Sequence, residues 1–313
     1  MLEVPQLSAE RRETLRTILK MRRFAVHELK LPNNYSFRSF VDIYQPHIVY
    51  NVSAAPEFSL EPKKWCFLVV GCLSYKGYFK KSVALAEAKK LKAQGLDVQL
   101  GGVKAYSTLG WFADPVLNTF LDWNEADLSG LIFHELAHQL IYVGDDTAFN
   151  ESFATAVELE GVKRWLRARG HPELIQKYRL AKRYDDEFTL FVMTYRQRLK
   201  TLYTQALPDA EKRIQKQKII ASLRRDYLKL KQSWNGYAGY DGWVQGEINN
   251  AKFAMVATYY IHVSAFENLL KQNENDLSRF YRAVIALGKL PRREREQRLC
   301  VLSSAHTNKV CTE

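Results

Sequence analysis

The spacing of apolar positions predicts helices and short strands in the first third of the chain. Apolar residues recur at helical intervals over residues 8–29, with Ser8 as the N-cap, and again over residues 78–95. Between these helices, residues 41–52 alternate loosely between apolar and polar positions, with a break at Pro46, as in a strand. "WCFLVVG" is a short apolar run typical of a buried strand, and "DVQLGGVKAYSTLGW" predicts one or two strands after the second helix.

The pattern in the rest of the chain predicts helices almost throughout. A helix over residues 125–142 is expected to begin after Asn124, its N-cap, and to be buried because it is apolar on most faces. A second helix is expected from about Ala148 to Arg169, with Gly170 as its stop. Further helical stretches follow at 172–204, 208–234, 245–271 and 275–288.

The chain is basic, and its basic residues are dispersed. It has 46 Lys and Arg against 34 Asp and Glu in 313 residues, a formal net charge of +12. Stretches such as "EKRIQKQKIIASLRRDYLKLKQ" are typical of solvated helix faces; the alternative is attraction to an anionic membrane or cell-wall surface. The sequence has no finger, homeodomain or base-stacking motif, so no nucleic-acid partner is expected. No apolar run approaches the roughly 18 residues that span a bilayer, so no transmembrane segment is expected.

The four cysteines predict no cysteine zinc site, because none of them forms a CxxC pair. Cys66 and Cys72 would lie about 20 Å apart on one straight strand, too far for a disulfide. A turn at Gly71 would bring them together. The sequence leaves open whether Cys66 and Cys72, or Cys300 and Cys311, form disulfides.

The stretch "SGLIFHELAHQLIYVGDDTAFNESFATAVE", residues 129–158, carries the clearest chemistry. His134 and His138 are four residues apart, so both imidazoles leave one face of a helix and can bind one zinc ion. Glu135 is rotated by about 100° and is placed to act as general base on a water beside that metal. The alternative is a buried helix with hydrogen-bonded histidines, in which each unpaired polar group would cost about 1–3 kcal/mol. A Zn²⁺ ion would satisfy both histidines at once.

A catalytic zinc site needs a third protein ligand and one open position. The downstream candidates are Asp145, Asp146, Glu151 and Glu158. The connection "VGDDT" is short enough to fold the second helix back beside the first, which places Glu151 in its first turn near the histidines. Glu151 is therefore the predicted third ligand. Asp145 and Asp146 are expected to cap the helix or support the ligands, and Glu158 to orient an imidazole, the alternative being an exposed carboxylate.

Several stretches of the sequence resemble a known family. "HELAH" followed by "FNESFA" resembles the gluzincin metallopeptidases, and "NESFA" is similar to the wording of zinc aminopeptidases. "RFAVHELKLPNNYSF", "AYSTLGWFADPVLNTF" and "NNAKFAMVATYYIHVSAF" are similar to a bacterial family of predicted zinc aminopeptidases, often described as lipoproteins. The similar stretches lie within about residues 23–270. The chain departs from the pattern in its gap between His138 and Glu151, which is shorter than in thermolysin, and in having no lipoprotein signal.

Peptide hydrolysis also needs a hydrogen-bond donor, besides zinc, for the oxyanion that forms. The candidates are Tyr106, Tyr240, Tyr259, Tyr260 and His262. Tyr259 is the prediction, the alternative being an aromatic packed in a helical core. In gluzincins the strand before the HExxH helix holds the substrate by strand addition, so the resemblance implies that Tyr106 and Ser107 bind substrate.

The predicted fold is α+β and mostly helical. A small sheet is expected to pack on the two zinc helices in a zincin-like arrangement, followed by a C-terminal helical lobe. The predicted domains are an N-terminal helical segment over 1–40, a zincin-like metal-binding domain over 41–170, a helical lobe over 171–290 and a tail over 291–313.

The predicted function is zinc-dependent hydrolysis of a peptide substrate by an aminopeptidase-like metallopeptidase. The alternative is a zinc-stabilised cell-envelope protein that binds without hydrolysis. If a lipoprotein signal was removed before Met1, a periplasmic or membrane-anchored location is expected; otherwise the protein would be cytoplasmic.

Overall fold

The computed structural model describes residues 7–67, 71–105, 108, 110–144, 146–257 and 262–304. Contacts divide the chain into two compact units. Unit 1 comprises Met1–Ile48, Lys104–Tyr178 and Tyr259–Glu313, and unit 2 comprises Val49–Val103 and Arg179–Thr258. Both units are therefore discontinuous along the chain, whereas the sequence predicted consecutive blocks.

The fold is α+β and mostly helical, as predicted. In chain order its elements are α1 (Ala9–His27), β1 (Phe40–Val41), β2 (Val49–Pro56), β3 (Trp65–Phe67), β4 (Gly71–Leu73), β5 (Lys76–Tyr78), α2 (Lys81–Ala93), β6 (Leu96–Val103), β7 (Val116–Leu117), α3 (Glu125–His138), α4 (Thr147–Ala168), α5 (Pro172–Tyr203), α6 (Asp209–Ser233), α7 (Asp241–Gln245), α8 (Asn250–Ala257), α9 (Val263–Gln272), α10 (Leu277–Gly288) and α11 (Arg292–Ser304). None of the helices in the described ranges combines the length and apolar character needed to cross a membrane.

Unit 2 contains a three-stranded antiparallel sheet in the order β5-β2-β6. One face of this sheet packs against α2, where Val52, Ala54 and Leu91 are buried together. A separate hairpin of β3 and β4 places Cys66 opposite Cys72, and the two form a disulfide. That a sheet packs on the zinc helices stays a prediction.

In unit 1 the helices α3 and α4 form an antiparallel hairpin. Residues near the end of α3 contact the start of α4, and residues near the start of α3 contact the end of α4. Glu151 lies beside His138, and Trp165 donates a hydrogen bond to Glu125 at 2.9 Å. Phe133 of α3 and Phe149 and Phe153 of α4 are fully buried in the core of this unit.

Polar side chains fix where these two helices begin and end. Asn124 caps α3 as predicted, and Asp146 caps α4 by accepting a hydrogen bond from the Phe149 amide at 3.1 Å. The helix α3 ends at His138, earlier than the predicted residue 142. Asn150 explains part of this early end, because its side chain bonds both the amide and the carbonyl of Val143, at 2.8 and 2.7 Å. The turn is thereby held in a non-helical form.

The segment predicted as a tail forms the helix α11 over Arg292–Ser304. The sequence of this helix is highly charged, but two positions one turn apart are buried, Arg295 and Leu299. Arg295 pairs with the buried Asp146 carboxylate at 2.7 Å and donates to the carbonyls of Gly288 and Leu290. Cys300, on the same helix, is also disulfide-bonded.

Gly161 sets the distance between α3 and α4. A methyl group at this position would lie 2.7 Å from a ring carbon of Phe133 and 2.9 Å from a methyl carbon of Leu29. Gly161→Ala is therefore expected to lower the free energy of unfolding by about 1–3 kcal/mol, because the core cannot accept the added atom without moving. Gly144→Ala is the control, since nothing lies within 4 Å of the added carbon there. Chemical denaturation measures both, and an equal effect would contradict this account.

Candidate metal centre

Three side chains of α3 and α4 converge on one point. His134 Nε2 lies 3.1 Å from His138 Nε2, and carboxylate oxygens of Glu151 lie 3.3 Å from His134 Nε2 and 3.7 Å from His138 Nε2. Ligand atoms arranged tetrahedrally around zinc at about 2.0–2.2 Å are separated from one another by about 3.3–3.6 Å. The nitrogen pair is slightly closer than that range, and the two Glu151 distances involve different oxygens, Oε2 to His134 and Oε1 to His138. One ligand atom from each of the three residues lies within 4.8 Å of the others, so the group could hold one metal ion.

The site is built by the short turn and by the start of α4. Glu151 follows Asn150, whose side chain holds the turn at Val143, so the third ligand sits in the first turn of α4. His138 is the last residue of α3, and His134 lies one turn earlier on the same face. The three candidate ligands therefore lie at the end of the hairpin where the turn connects α3 to α4.

Glu158 lies on the far side of His134 from the metal point. His134 Nδ1 is 3.1 Å from Glu158 Oε2, and the Tyr178 hydroxyl donates to Glu158 Oε1 at 2.9 Å. A proton on Nδ1 donated to this carboxylate leaves Nε2 with its lone pair facing the metal point. Gly130 makes room for the arrangement, since a methyl group there would lie 3.3 Å from Glu158 Oε1.

His138 lacks a comparable orienting group among the described residues. Its Nδ1 is buried and has no hydrogen-bond partner there. The side chain is almost fully buried, at 7% exposure, so its ring is held by packing within the hairpin. The two histidines thus differ in how they are supported, although both present Nε2 to the same point.

The electrostatics of the cluster suit a cation. Burial alone would lower the pKa of His134, but hydrogen bonds with the Glu151 and Glu158 carboxylates raise that pKa to about 10. Burial alone would raise the pKa of Glu151, but hydrogen bonds with the two histidines lower it to about 2. Both shifts mean that the site favours a positive charge between its carboxylates.

Glu135 is next to the ligands in sequence and points to a different surface of α3. Burial raises its pKa; the two histidines oppose this shift, and the carboxylates of Glu151 and Asp114 add to it. A carboxylate with a raised pKa is a stronger proton acceptor than an ordinary surface glutamate. Glu135 can therefore hold and release a proton beside the metal point.

A polar network adjoins the end of α3. Gln139 donates hydrogen bonds to Ser36 Oγ and Asp114 Oδ2, both at 3.3 Å, and accepts one from the Asn34 side chain at 2.5 Å. Asp114 is buried and accepts the backbone amide of Thr108 at 3.1 Å. This network ties the segment before α3 to the residue that follows His138.

Comparison with known families adds a second observation to this geometry. The family model described as "Putative aminopeptidase" matches residues 1–299. The chain belongs to this family. Neither the curated proteins nor the solved structures contain a match. Membership in the aminopeptidase family indicates peptide hydrolysis, and the His134–His138–Glu151 group could bind a metal.

The structure brings together five of the residues that the sequence singled out in this family member. His134, His138 and Glu151 converge, Glu135 is electrostatically coupled to them, and Glu158 contacts His134. Asp146 is the cap of α4. Five further candidates lie outside the described residues: Tyr106, Ser107, Tyr259, Tyr260 and Asp145.

Two other candidates for the oxyanion donor have different partners. Tyr240 belongs to unit 2, where its hydroxyl donates to Asp185. The backbone amide of His262 donates to Ser152 Oγ at 3.2 Å, which places His262 beside α4.

Sequence reasoning missed Tyr178, Asp114 and Gln139. Tyr178 lies twenty residues after Glu158 on another helix, and no local pattern relates the two. Gln139 did carry a signal, because it is one turn after Glu135 on the same helical face.

Proposed function

We propose that the protein is a zinc-dependent aminopeptidase that hydrolyses peptides at a free amino end. The observation that carries this proposal is the group of two imidazoles and one carboxylate whose ligand atoms lie within 4.8 Å of one another, on two helices of a chain in a putative aminopeptidase family. Two histidines and one carboxylate are the donor set of catalytic zinc in gluzincin-like peptidases. Three protein ligands also leave the open position that a reaction requires.

The roles of the residues follow from their places. His134, His138 and Glu151 hold the ion, and Glu158 with Tyr178 orients the His134 ring. Zinc, when bound, supplies a Lewis acid that lowers the pKa of water to about 7 and polarises a carbonyl. Glu135 accepts the proton of the attacking water and then delivers it to the leaving amine, as its raised pKa favours.

The substrate contacts remain proposals. Tyr259 is proposed to donate to the oxyanion, and Tyr106 and Ser107 to bind the substrate backbone, as the resemblance implies. An envelope location is proposed with them. The disulfide of Cys66 and Cys72 supports it, since disulfides persist mainly in oxidising compartments.

A peptide screen tests the proposed function directly. Purified protein loaded with zinc is incubated with a diverse peptide library whose members carry either a free or an acetylated amino end, and products are read by mass spectrometry. Loss of single residues from free amino ends, abolished by a chelator and restored by zinc, is the expected result. Stoichiometric zinc binding without cleavage of any member would instead favour a zinc-stabilised binding protein.

Glu158→Gln is expected to weaken zinc affinity about 10–100-fold, because a neutral amide makes the imidazole of His134 a poorer ligand. The effect should appear in competition titrations against a coloured chelator. Glu160→Gln is the matched control. That carboxylate lies on the same helix, pairs with Lys163 and Arg164, and is not part of the His134–His138–Glu151 group. Equal zinc affinities of the wild-type protein and Glu158→Gln would show that Glu158 does not support His134 as a ligand.

Zinc affinity is expected to rise with pH. In protein stripped of metal, His134 has its pKa raised to about 10, so zinc must displace its proton throughout the neutral range. The protonated form stabilises the stripped protein fully below about pH 6.5, and that contribution is lost as pH rises through about 10. The apparent association constant should therefore rise by about tenfold per pH unit or more between pH 6 and 8. A flat profile would contradict this charge assignment.

A further inference from the structure

Unit 1 contains a cavity that is lined by basic side chains and none of the candidate metal ligands. It has a volume of about 400 Å³ and lies between α1 and the segment that follows it. The lining residues are Leu19, Arg22, Arg23, Val26, His27, Asn33 and Arg38. Three of them are arginines, and none of these described lining residues is a carboxylate. The proposed peptidase mechanism uses none of them.

Arg22 is the buried member of this set, with 2% of its surface exposed. Its guanidinium donates to the carbonyls of Pro32, Asn34 and Ser36 and to the Asn34 side chain, at 2.8 to 3.0 Å. All of these acceptors are neutral. Nη1 is buried and has no acceptor among the described residues. Among the residues that the structure describes, no anion contacts Arg22 to balance its buried charge.

The exposed arginines add to this imbalance. Burial, followed by the positive charge of Arg38, lowers the pKa of Arg22 to about 10, as expected for like charges around one small space. Arg38 donates a hydrogen bond to a neutral partner, Asn33 Oδ1, at 2.6 Å. Guanidinium groups gathered in this way match the oxygens of a phosphate or a carboxylate.

We propose that this cavity binds an oxyanion group, a phosphate or a carboxylate, held by Arg23 and Arg38 at its exposed side and by the charge of Arg22 at its buried side. Leu19 and Val26 supply apolar wall, so the cavity can also take an apolar portion of the molecule that carries the anion. The site connects to the metal centre, since Asn34 bonds both Arg22 and Gln139, the residue after His138.

Calorimetric titration of the full-length chain with inorganic phosphate, and separately with acetate, tests the proposal. Saturable binding of at least one anion is expected. The double variant Arg23→Gln/Arg38→Gln should weaken it about tenfold or more, because charge-assisted hydrogen bonds are lost. The relative affinities of the two anions then identify phosphate or carboxylate as the preferred group.

The matched control is Arg16→Gln/Lys20→Gln, which removes the same charge from exposed positions of α1 outside the cavity. It should leave anion affinity within about twofold, since general attraction to a basic protein is weak and screened. Three results would overturn the proposal: no saturable binding of either anion, unchanged binding in the cavity double variant, or an equal loss in the control. Because no step uses the metal, these results are independent of peptide cleavage.

Discussion

Glu135→Gln is expected to lower peptide hydrolysis by about 10²–10⁴-fold while leaving zinc affinity within a few-fold of the wild-type value. Glutamine keeps the shape and hydrogen-bonding capacity of the side chain but cannot accept a proton. Glu135 is coupled to the ligand cluster without being one of its three converging donors, so the metal should still bind. Steady-state cleavage of the best peptide from the screen, with zinc content measured on the same sample, separates the two effects.

Glu160→Gln serves again as the control, because it removes a half-buried carboxylate of α4 that pairs with neighbouring basic residues. This control should retain activity close to that of the wild type. Loss of zinc together with activity in Glu135→Gln would show that Glu135 supports the ligands. Retention of full activity would rule out Glu135 as the proton acceptor.

His134→Gln is expected to remove both metal binding and metal-dependent stabilisation. Zinc at about one hundred times its dissociation constant should stabilise the wild-type fold by about 2.7 kcal/mol. For a unit of this size, that corresponds to a rise of about 5–10 °C in Tm. The variant should show no such rise, because two donors on a hairpin hold zinc far less well than three. Differential scanning calorimetry with and without zinc measures the difference.

His171→Gln is the matched histidine control. His171 lies in unit 1 and contacts Glu173 at 3.3 Å, outside the ligand cluster. Its zinc-dependent rise in Tm should equal that of the wild type. An undiminished rise in His134→Gln would mean that the stabilising zinc binds elsewhere in the protein.

The convergence of His134, His138 and Glu151 could be predicted from sequence because each step is local. Helical periodicity places the histidines on one face, and a short turn returns the chain within reach. The cap residue Asn124 and the glycine after α4 bound the two helices, since Gly170 adopts the left-handed conformation that such stops require. Local rules of this kind need no knowledge of the remaining chain.

What sequence could not supply depends on contacts between distant segments. Tyr178 reaches Glu158 from another helix, and Arg295 reaches Asp146 across 149 positions. The segment that forms α11 was predicted as a tail. Periodicity in a sequence cannot show that one of its arginines contacts a buried carboxylate. The interleaving of the two units is likewise set by packing of sheet and helices that are far apart in the chain.

The pairing of Arg295 with Asp146 makes the third ligand depend on the end of the chain. Asp146 caps the helix whose first turn carries Glu151, and its buried carboxylate is balanced by a guanidinium supplied from α11. Removing one partner of a buried pair leaves an uncompensated charge, at a cost of about 3–5 kcal/mol. A fragment without α11 would keep His134, His138 and Glu151. It would lose the Arg295–Asp146 pair, which stabilises the start of the helix that carries Glu151. We therefore expect the smallest fragment that holds the His134–His138–Glu151 group in place to include α11 as well as the helical hairpin.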